Sequence, residues 1–172
     1  MDDYKKKEKL EEFMNLYSKK IFNFLNYAIG NKEEAKDLVQ DVFFKVYKSL
    51  PKFRGDSSPY TWIYKIAINT LRNYIKKKKA KKFFSLEKIP EEIGMGYDPP
   101  SRPPSILYDA FKEMPQDLKE VILLYYYEEY GTREISEILD IPEGTVKSRL
   151  YRAREFIKNY FEKRGTYGVW KI

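Results

Sequence analysis

Apolar residues recur every three or four positions through most of this chain, and no segment sustains an alternation of period two. Leu10, Phe13, Met14, Tyr17, Ile21, Phe24, Leu25 and Ala28 predict one amphipathic helix, ended by Gly30 and Asn31. Residues 32–50 repeat the pattern with Val39, Phe43, Val46 and Leu50, and Pro51 stops it. The segment FRGDSSP, residues 53–59, predicts a loop on Gly, Ser and Pro grounds. A third helix over 60–79 holds Ile63, Ile66, Ala67, Thr70 and Leu71 on one face.

A second helical block follows. Leu107, Ala110, Phe111 and Met114, then Leu118, Val121, Ile122, Leu124 and Tyr125, predict two helices broken at Pro115. Residues 132–139 and 142–161 predict two more. Between the blocks, 81–105 carries Gly94, Gly96 and the prolines Pro90, Pro99, Pro100, Pro103 and Pro104, a composition that cannot continue a helix. The tail, 165–172, has no readable pattern. The predicted fold is all-α: two small helical domains, 6–80 and 106–164, joined by a flexible linker over 81–105.

Composition narrows the chemistry. The 172 residues are 42% hydrophobic, enough for a packed core. There is no Cys and no His, which excludes disulfides, thiol and Ser-His catalysis and His- or Cys-based metal sites. Only carboxylate-based metal or acid/base sites survive, and no clustered acidic motif supports one. No catalytic residue, metal or cofactor is expected. The opening residues, MDDYKKKEKLEEF, are charged throughout, and no run approaches the ~18 apolar residues of a membrane span. A cytoplasmic protein without membrane insertion is expected.

The net charge is +7 with an isoelectric point near 9.2, which points to a polyanionic partner if the cations cluster. They do. In the helix from Pro142, Val146, Leu150, Ala153 and Ile157 form the inward stripe. The opposite side presents Thr145, Ser148, Tyr151 and Arg152, with Lys147 and Arg149 on its flanks and Arg154 further round. Arg and Lys can donate to guanine or phosphate, and Ser can read either kind of base edge. Gly144 leaves room for close approach of a backbone or phosphate. From Lys147 to Arg164 there are seven basic residues against two acidic ones. The helix over 132–139 and the short turn DIPEG precede it, the layout of a helix-turn-helix. A solvated basic bundle helix is the bland reading.

The first block has its own cationic stretch. Phe53, Tyr60, Trp62, Tyr64 and Tyr74 accompany Lys65, Arg72 and the run KKKKAKK, residues 76–82. Rings that stack bases beside charges that hold phosphates suit single-stranded DNA, although Trp62 is equally readable as core. Asp37, Gln40, Asp41 and Lys45 form the polar face of the second helix, with Asp37/Asp41 and Asp41/Lys45 each four apart and adjacent. Two neighbouring carboxylates without a third ligand favour a protein-binding face over acid/base chemistry.

Together these motifs resemble an RNA polymerase sigma factor of the sigma-70 family, in its small two-domain, extracytoplasmic-function (ECF) group. DLVQDVFFKVYKSLPKF, residues 37–53, is similar to region 2.2 of that family; SPYTWIYKIAINTLRNYIKK to regions 2.3 and 2.4; and LYDAFKEMPQDLKEVILLYYYEEYGTREISEILDIPEGTVKSRLYRARE to region 4. The resemblance implies a non-catalytic subunit that binds core RNA polymerase and directs promoter-specific initiation. It implies that Asp37, Gln40 and Asp41 dock on core polymerase. It assigns recognition of the −10 element to Arg54, Asp56, Ser57, Trp62, Lys65, Asn69, Arg72, Asn73 and Lys76, with a non-template base captured out of the stack. It assigns the −35 element to Thr132, Arg133, Gly144, Thr145, Lys147, Ser148, Arg149, Arg152 and Arg154. It also implies an anti-sigma factor as regulator. Primary sigma factors carry two adjacent tryptophans that wedge the duplex open; here Trp62 is followed by Ile63, which implies weaker melting and stricter promoter demands. A free-standing helix-turn-helix regulator is the competing reading, and it has no use for the Trp62, Asn69 and lysine constellation or for a long linker.

Overall fold

The computed structural model describes residues 3–84 and 105–164, and every regular element among them is helical. The chain forms two compact units, Met1–Gly96 and Tyr97–Ile172. The predicted linker beyond residue 84 and the tail after 164 lie outside the described residues.

The first unit is a three-helix assembly of α1 (Asp3–Ile29), α2 (Lys32–Ser49) and α3 (Pro59–Phe84), each helix packed against the other two. The α1–α2 corner follows from two residues. Gly30 takes φ +70, open to glycine at no cost, and Asn31 caps α2, its side chain accepting from the Glu33 and Glu34 amides at 3.1 Å each. Pro51 ends α2 as predicted, inside a single 3-10 turn, Leu50–Lys52. Ser58 caps α3: its hydroxyl oxygen accepts from the Thr61 amide at 3.1 Å, leaving Pro59 at the first helical position.

The core of this unit comes from Phe13, Ile21, Phe24 and Leu25 of α1, Leu38, Val42, Phe43 and Val46 of α2, and Ile63, Tyr64, Ala67, Ile68 and Leu71 of α3. Several positions differ from the sequence expectation. Met14 is exposed, Leu10, Tyr17, Val39 and Ile66 are only half-buried, and Leu38, Val42 and Ile68 carry much of the packing instead. A stripe drawn through apolar residues alone cannot choose between neighbours flanking the true contact line. Helix α3 also continues to Phe84, past the predicted end at Lys79, because Lys and Ala are good helix formers and no Gly or Pro intervenes.

The second unit contains α4 (Ser105–Glu113), α5 (Gln116–Ile122), α6 (Thr132–Leu139) and α7 (Glu143–Lys163). Pro115 separates α4 from α5 as predicted. Beyond Ile122 the helix widens into a π turn, Leu123–Tyr127, which the periodicity did not predict. Helix α7 packs on α4, α5 and α6. Val146, Leu150 and Ala153 are fully buried, and Ile157 packs with Phe111 and Phe156 around Met114, Leu118 and Ile122. At the far end of α7, Arg164 donates to the Tyr160 hydroxyl, which donates to Glu113 of α4 at 3.1 Å.

Candidate nucleic-acid interface

The α6–α7 pair is set by its termini. Glu134 reaches back to accept the Gly131 amide at 2.9 Å, fixing the start of α6. At the other end Asp140 adopts the left-handed conformation (φ 55, ψ 50), and the Ile141 amide returns to the Ser136 carbonyl at 3.2 Å. Pro142 serves as the N-cap of α7 rather than lying within its first turn; its carbonyl accepts from Thr145 and Val146. Glu143 then ties the two helices together, accepting from the Thr132 hydroxyl at 2.7 Å and the Lys147 ammonium at 2.8 Å. These two partners, Lys147 first, hold the Glu143 carboxyl below its ordinary pKa. Thr132 is thus a strut between the helices, while Arg133 is exposed beside Glu137 at 3.9 Å.

With Val146, Leu150 and Ala153 facing inward, the outward arc of α7 holds Gly144, Ser148, Tyr151 and Arg152, all exposed. A Cβ at Gly144 would meet nothing within 4 Å in the chain, so that point of the arc is open. Thr145 is half-buried at the edge of the arc, and Lys147 is exposed at the other edge. Beyond Arg133 and Lys147, which meet Glu137 and Glu143 one turn away, two of the predicted cations reach other elements. Arg149 has a side chain only 23% exposed, and its Nε lies 3.4 Å from Asp117 of α5. Arg154 donates from Nε to the Tyr126 hydroxyl at 2.8 Å, with its guanidinium 5.8 and 5.6 Å from the Tyr125 and Tyr126 ring centroids. The sequence singled out neither Asp117 nor Tyr126 as a partner. Tyr126 reaches Arg154 from the π turn, which no periodicity announced.

In the first unit, Trp62, Lys65, Asn69, Arg72 or Asn73, and Lys76 recur at three- or four-residue intervals along α3, which puts them on one stripe. Asn69, Asn73 and Lys76 are exposed; Trp62, Lys65 and Arg72 are half-buried. Trp62 packs on Phe53 with ring centroids 4.6 Å apart while keeping part of its surface in solvent. That contact anchors the loop before α3 at one end, and the Ser58 cap anchors it at the other. Between the anchors, Arg54 and Asp56 are exposed, Ser57 is half-buried, and Gly55 takes φ +81. Within the lysine run, Lys78 is not a free cation: it pairs with Glu34 of α2 at 2.8 Å and accompanies the Tyr74 hydroxyl at 3.0 Å.

On α2, Asp37, Gln40 and Asp41 are exposed, and none makes an ion pair or side-chain hydrogen bond among the described residues. Asp41 and Lys45, four apart on the helix, form no ion pair among the described residues. Lys45 instead donates to the Thr70 hydroxyl at 2.9 Å, bracing α2 on α3. No group of three or more acidic side chains able to hold a metal ion occurs among the described residues, and no described helix is long and apolar enough to cross a membrane.

A helix-turn-helix with an open polar arc in one unit, and an anchored loop leading into a cationic, aromatic helix face in the other, are the chain's two candidate nucleic-acid surfaces. Comparison with known proteins gives it a family. The sigma-70 region 2 family model matches residues 13–81, and the sigma-70 region 4 model matches 105–157. The chain is 35% identical over 156 residues to the ECF RNA polymerase sigma-E factor of Haemophilus influenzae, covering 83% of this chain and 82% of that protein. It is 35% identical over 139 residues to the sigma-E factor of Escherichia coli K12, covering 73% of each. Among solved structures, the sigma factor RpoE of Bartonella quintana, in complex with the anti-sigma factor NepR, matches 90% of this chain and 98% of its own length with a TM-score of 0.79 at 20% identity. CnrH, in complex with the cytosolic domain of CnrY, matches with a TM-score of 0.67 at 16% identity, covering 91% of this chain and 90% of that one. The chain belongs to the sigma-70 family of RNA polymerase sigma factors, in its ECF group.

Proposed function

We propose that this protein docks on core RNA polymerase through the exposed face of α2 and directs it to promoters by reading two DNA elements with its two units. The reading rests on one observation above all: the family's two characteristic regions, 2 and 4, occur in order on the two units that carry the candidate constellations. Promoter-specific initiation is the function of the family. The subunit contributes recognition, and the chemistry of RNA synthesis belongs to the polymerase, so no residue here is assigned a catalytic role. Its place of action is the cytoplasm, where the polymerase works.

In this reading, Asp37, Gln40 and Asp41 contact core polymerase. Arg54, Asp56 and Ser57 of the loop, with Trp62, Lys65, Asn69, Arg72, Asn73 and Lys76 of α3, engage the −10 element. The loop can cradle one unstacked base while the α3 cations hold backbone phosphate. Ser148, Arg152 and Lys147 read the −35 element in the major groove, joined by Tyr151, whose exposed ring suits a thymine methyl. Arg133, Gly144 and Thr145 lie against the backbone. Thr132 and Arg149 chiefly hold the reader in shape, and Arg154 presents its remaining donors to phosphate from the tyrosine pair. An anti-sigma factor is the expected regulator, as NepR is the partner of the sigma factor RpoE of B. quintana.

Footprinting tests this against a free-standing regulator. Core polymerase mixed with this protein should protect two separated promoter elements, and the protein alone neither. Protection of a palindrome by the protein alone, unaffected by polymerase, would favour the regulator.

A further inference from the structure

Phe44 is 57% exposed on α2. At ~100° per residue it falls on the midline of the arc that carries Asp37, Gln40 and Asp41, directly above Gln40 and Asp41 on the helix surface. A phenyl ring in this position lies outside the core. The core side of α2 is already supplied by Leu38, Val42, Phe43 and Val46. The described ring and cation contacts of Phe44 come to one, the Lys48 ammonium 4.3 Å from its centroid on the same helix.

Its neighbours are equally unspent. Glu33 pairs with Lys36 and Glu34 with Lys78, both at 2.8 Å, whereas the Asp37 and Asp41 carboxylates make no ion pair among the described residues. One helix face therefore joins an exposed ring to two uncompensated carboxylates, the pattern of an anchor with a charged rim. The complementary surface is an apolar pocket bordered by cations. A second copy of this chain does not fit, because a two-fold contact centred on Phe44 would bring carboxylates against carboxylates.

We propose that Phe44 is the apolar anchor of the contact with core RNA polymerase, inserting into a pocket whose basic border pairs with Asp37 and Asp41. This rests on the docking role proposed for Asp37, Gln40 and Asp41, and it locates the source of affinity within that face. Solvent-exposed ion pairs add little to affinity but set register and encounter rate, whereas a desolvated aromatic ring supplies binding energy.

The test is competition of the full-length chain against labelled wild-type protein for core polymerase. Phe44→Ala should weaken binding by at least about tenfold, while Phe44→Leu, which keeps an apolar anchor, should stay within about threefold. Helical circular dichroism should not change in either variant. If Phe44→Ala binds like wild type while Asp37→Asn/Asp41→Asn binds weakly, the docking face stands and the anchor is refuted. If all variants bind like wild type, the docking face itself falls and the anchor with it. Should Phe44→Ala lower the helical signal, Phe44→Gln, similar in reach but polar, is judged by the same tenfold criterion.

Discussion

Substituting Arg149 and Arg152 by alanine separates the two jobs that basic residues perform on α7. The two residues lie three apart and look interchangeable in sequence, but their surroundings differ. Arg152 is exposed on the outward arc, so its loss should leave stability within about 0.5 kcal/mol. If it contacts a base, the change should cost ~1–3 kcal/mol of −35 binding, concentrated at one position of the element. Arg149 is 77% removed from solvent at the side chain, the complement of its 23% exposure, and reaches Asp117 across the α5–α7 contact at 3.4 Å. Asp117 is itself 43% exposed, so the pair is partly hydrated and contributes ~0.2–1 kcal/mol. The covered methylene stem adds about 0.8 kcal/mol for each CH2 that stays buried. Arg149→Ala should therefore destabilise its unit by about 1–2 kcal/mol, which lowers the melting temperature of a domain this size by roughly 4–8 °C per kcal/mol. Thermal unfolding by circular dichroism and fluorescence anisotropy with a −35 duplex measure the two quantities on the same samples. A double-mutant cycle with Asp117→Ala should give a coupling of up to about 1 kcal/mol. The reasoning is refuted if Arg149→Ala melts like wild type, or if its effect and that of Asp117→Ala are fully additive.

Two other expectations concern the first unit. The Glu34–Lys78 pair should confer a pH-dependent stability. At Glu34 burial raises the pKa, but hydrogen bonds from Lys78 and Tyr74 outweigh it and bring the carboxyl below its ordinary 4.5. At Lys78 burial lowers the pKa, and Glu34 and Tyr74 outweigh it in turn, raising the ammonium above 10.5. The stabilisation is complete between those ordinary values, and is lost as pH falls through the depressed Glu34 value or rises through the elevated Lys78 value. Lys78→Met should thus be less stable than wild type at pH 7 by ~0.2–1 kcal/mol, with the gap closing in acid; a gap that persists below the carboxylate range contradicts the pairing. Gly55→Ala should cost about 1–2 kcal/mol at the loop because φ +81 disfavours any Cβ even though the space around it is empty. Binding to a −10 single strand in the presence of core polymerase should weaken, while −35 duplex binding should not change; equal loss at both elements would show a general defect.

The helices were legible because their periodicity and punctuation agree. Gly30, Asn31, Pro51, Pro115 and Pro142 fall at or next to the helix ends where their φ preferences and missing donors place them. The helix-turn-helix stripe of Val146, Leu150 and Ala153 was readable for the same reason. What the sequence could not show was cross-element pairing. That Lys45 turns to Thr70 rather than to Asp41, and that Arg149 meets Asp117, depends on how helices cross, which local spacing does not encode. The π turn at Leu123–Tyr127 was invisible because a widened turn keeps the apolar and aromatic composition of an ordinary helix. Tyr126 was therefore not identified as the brace of Arg154. The residues proposed for the −10 element stand in the sequence only as a list of residue types, and the loop's double anchoring by Phe53–Trp62 and Ser58 emerged only from the fold.

Run-off transcription from a cognate promoter tests the central claim most directly. Core RNA polymerase supplemented with this protein should give a discrete transcript from one start site, and the product should disappear when either the −10 or the −35 element is scrambled. A transcript pattern identical with and without the protein would contradict the account.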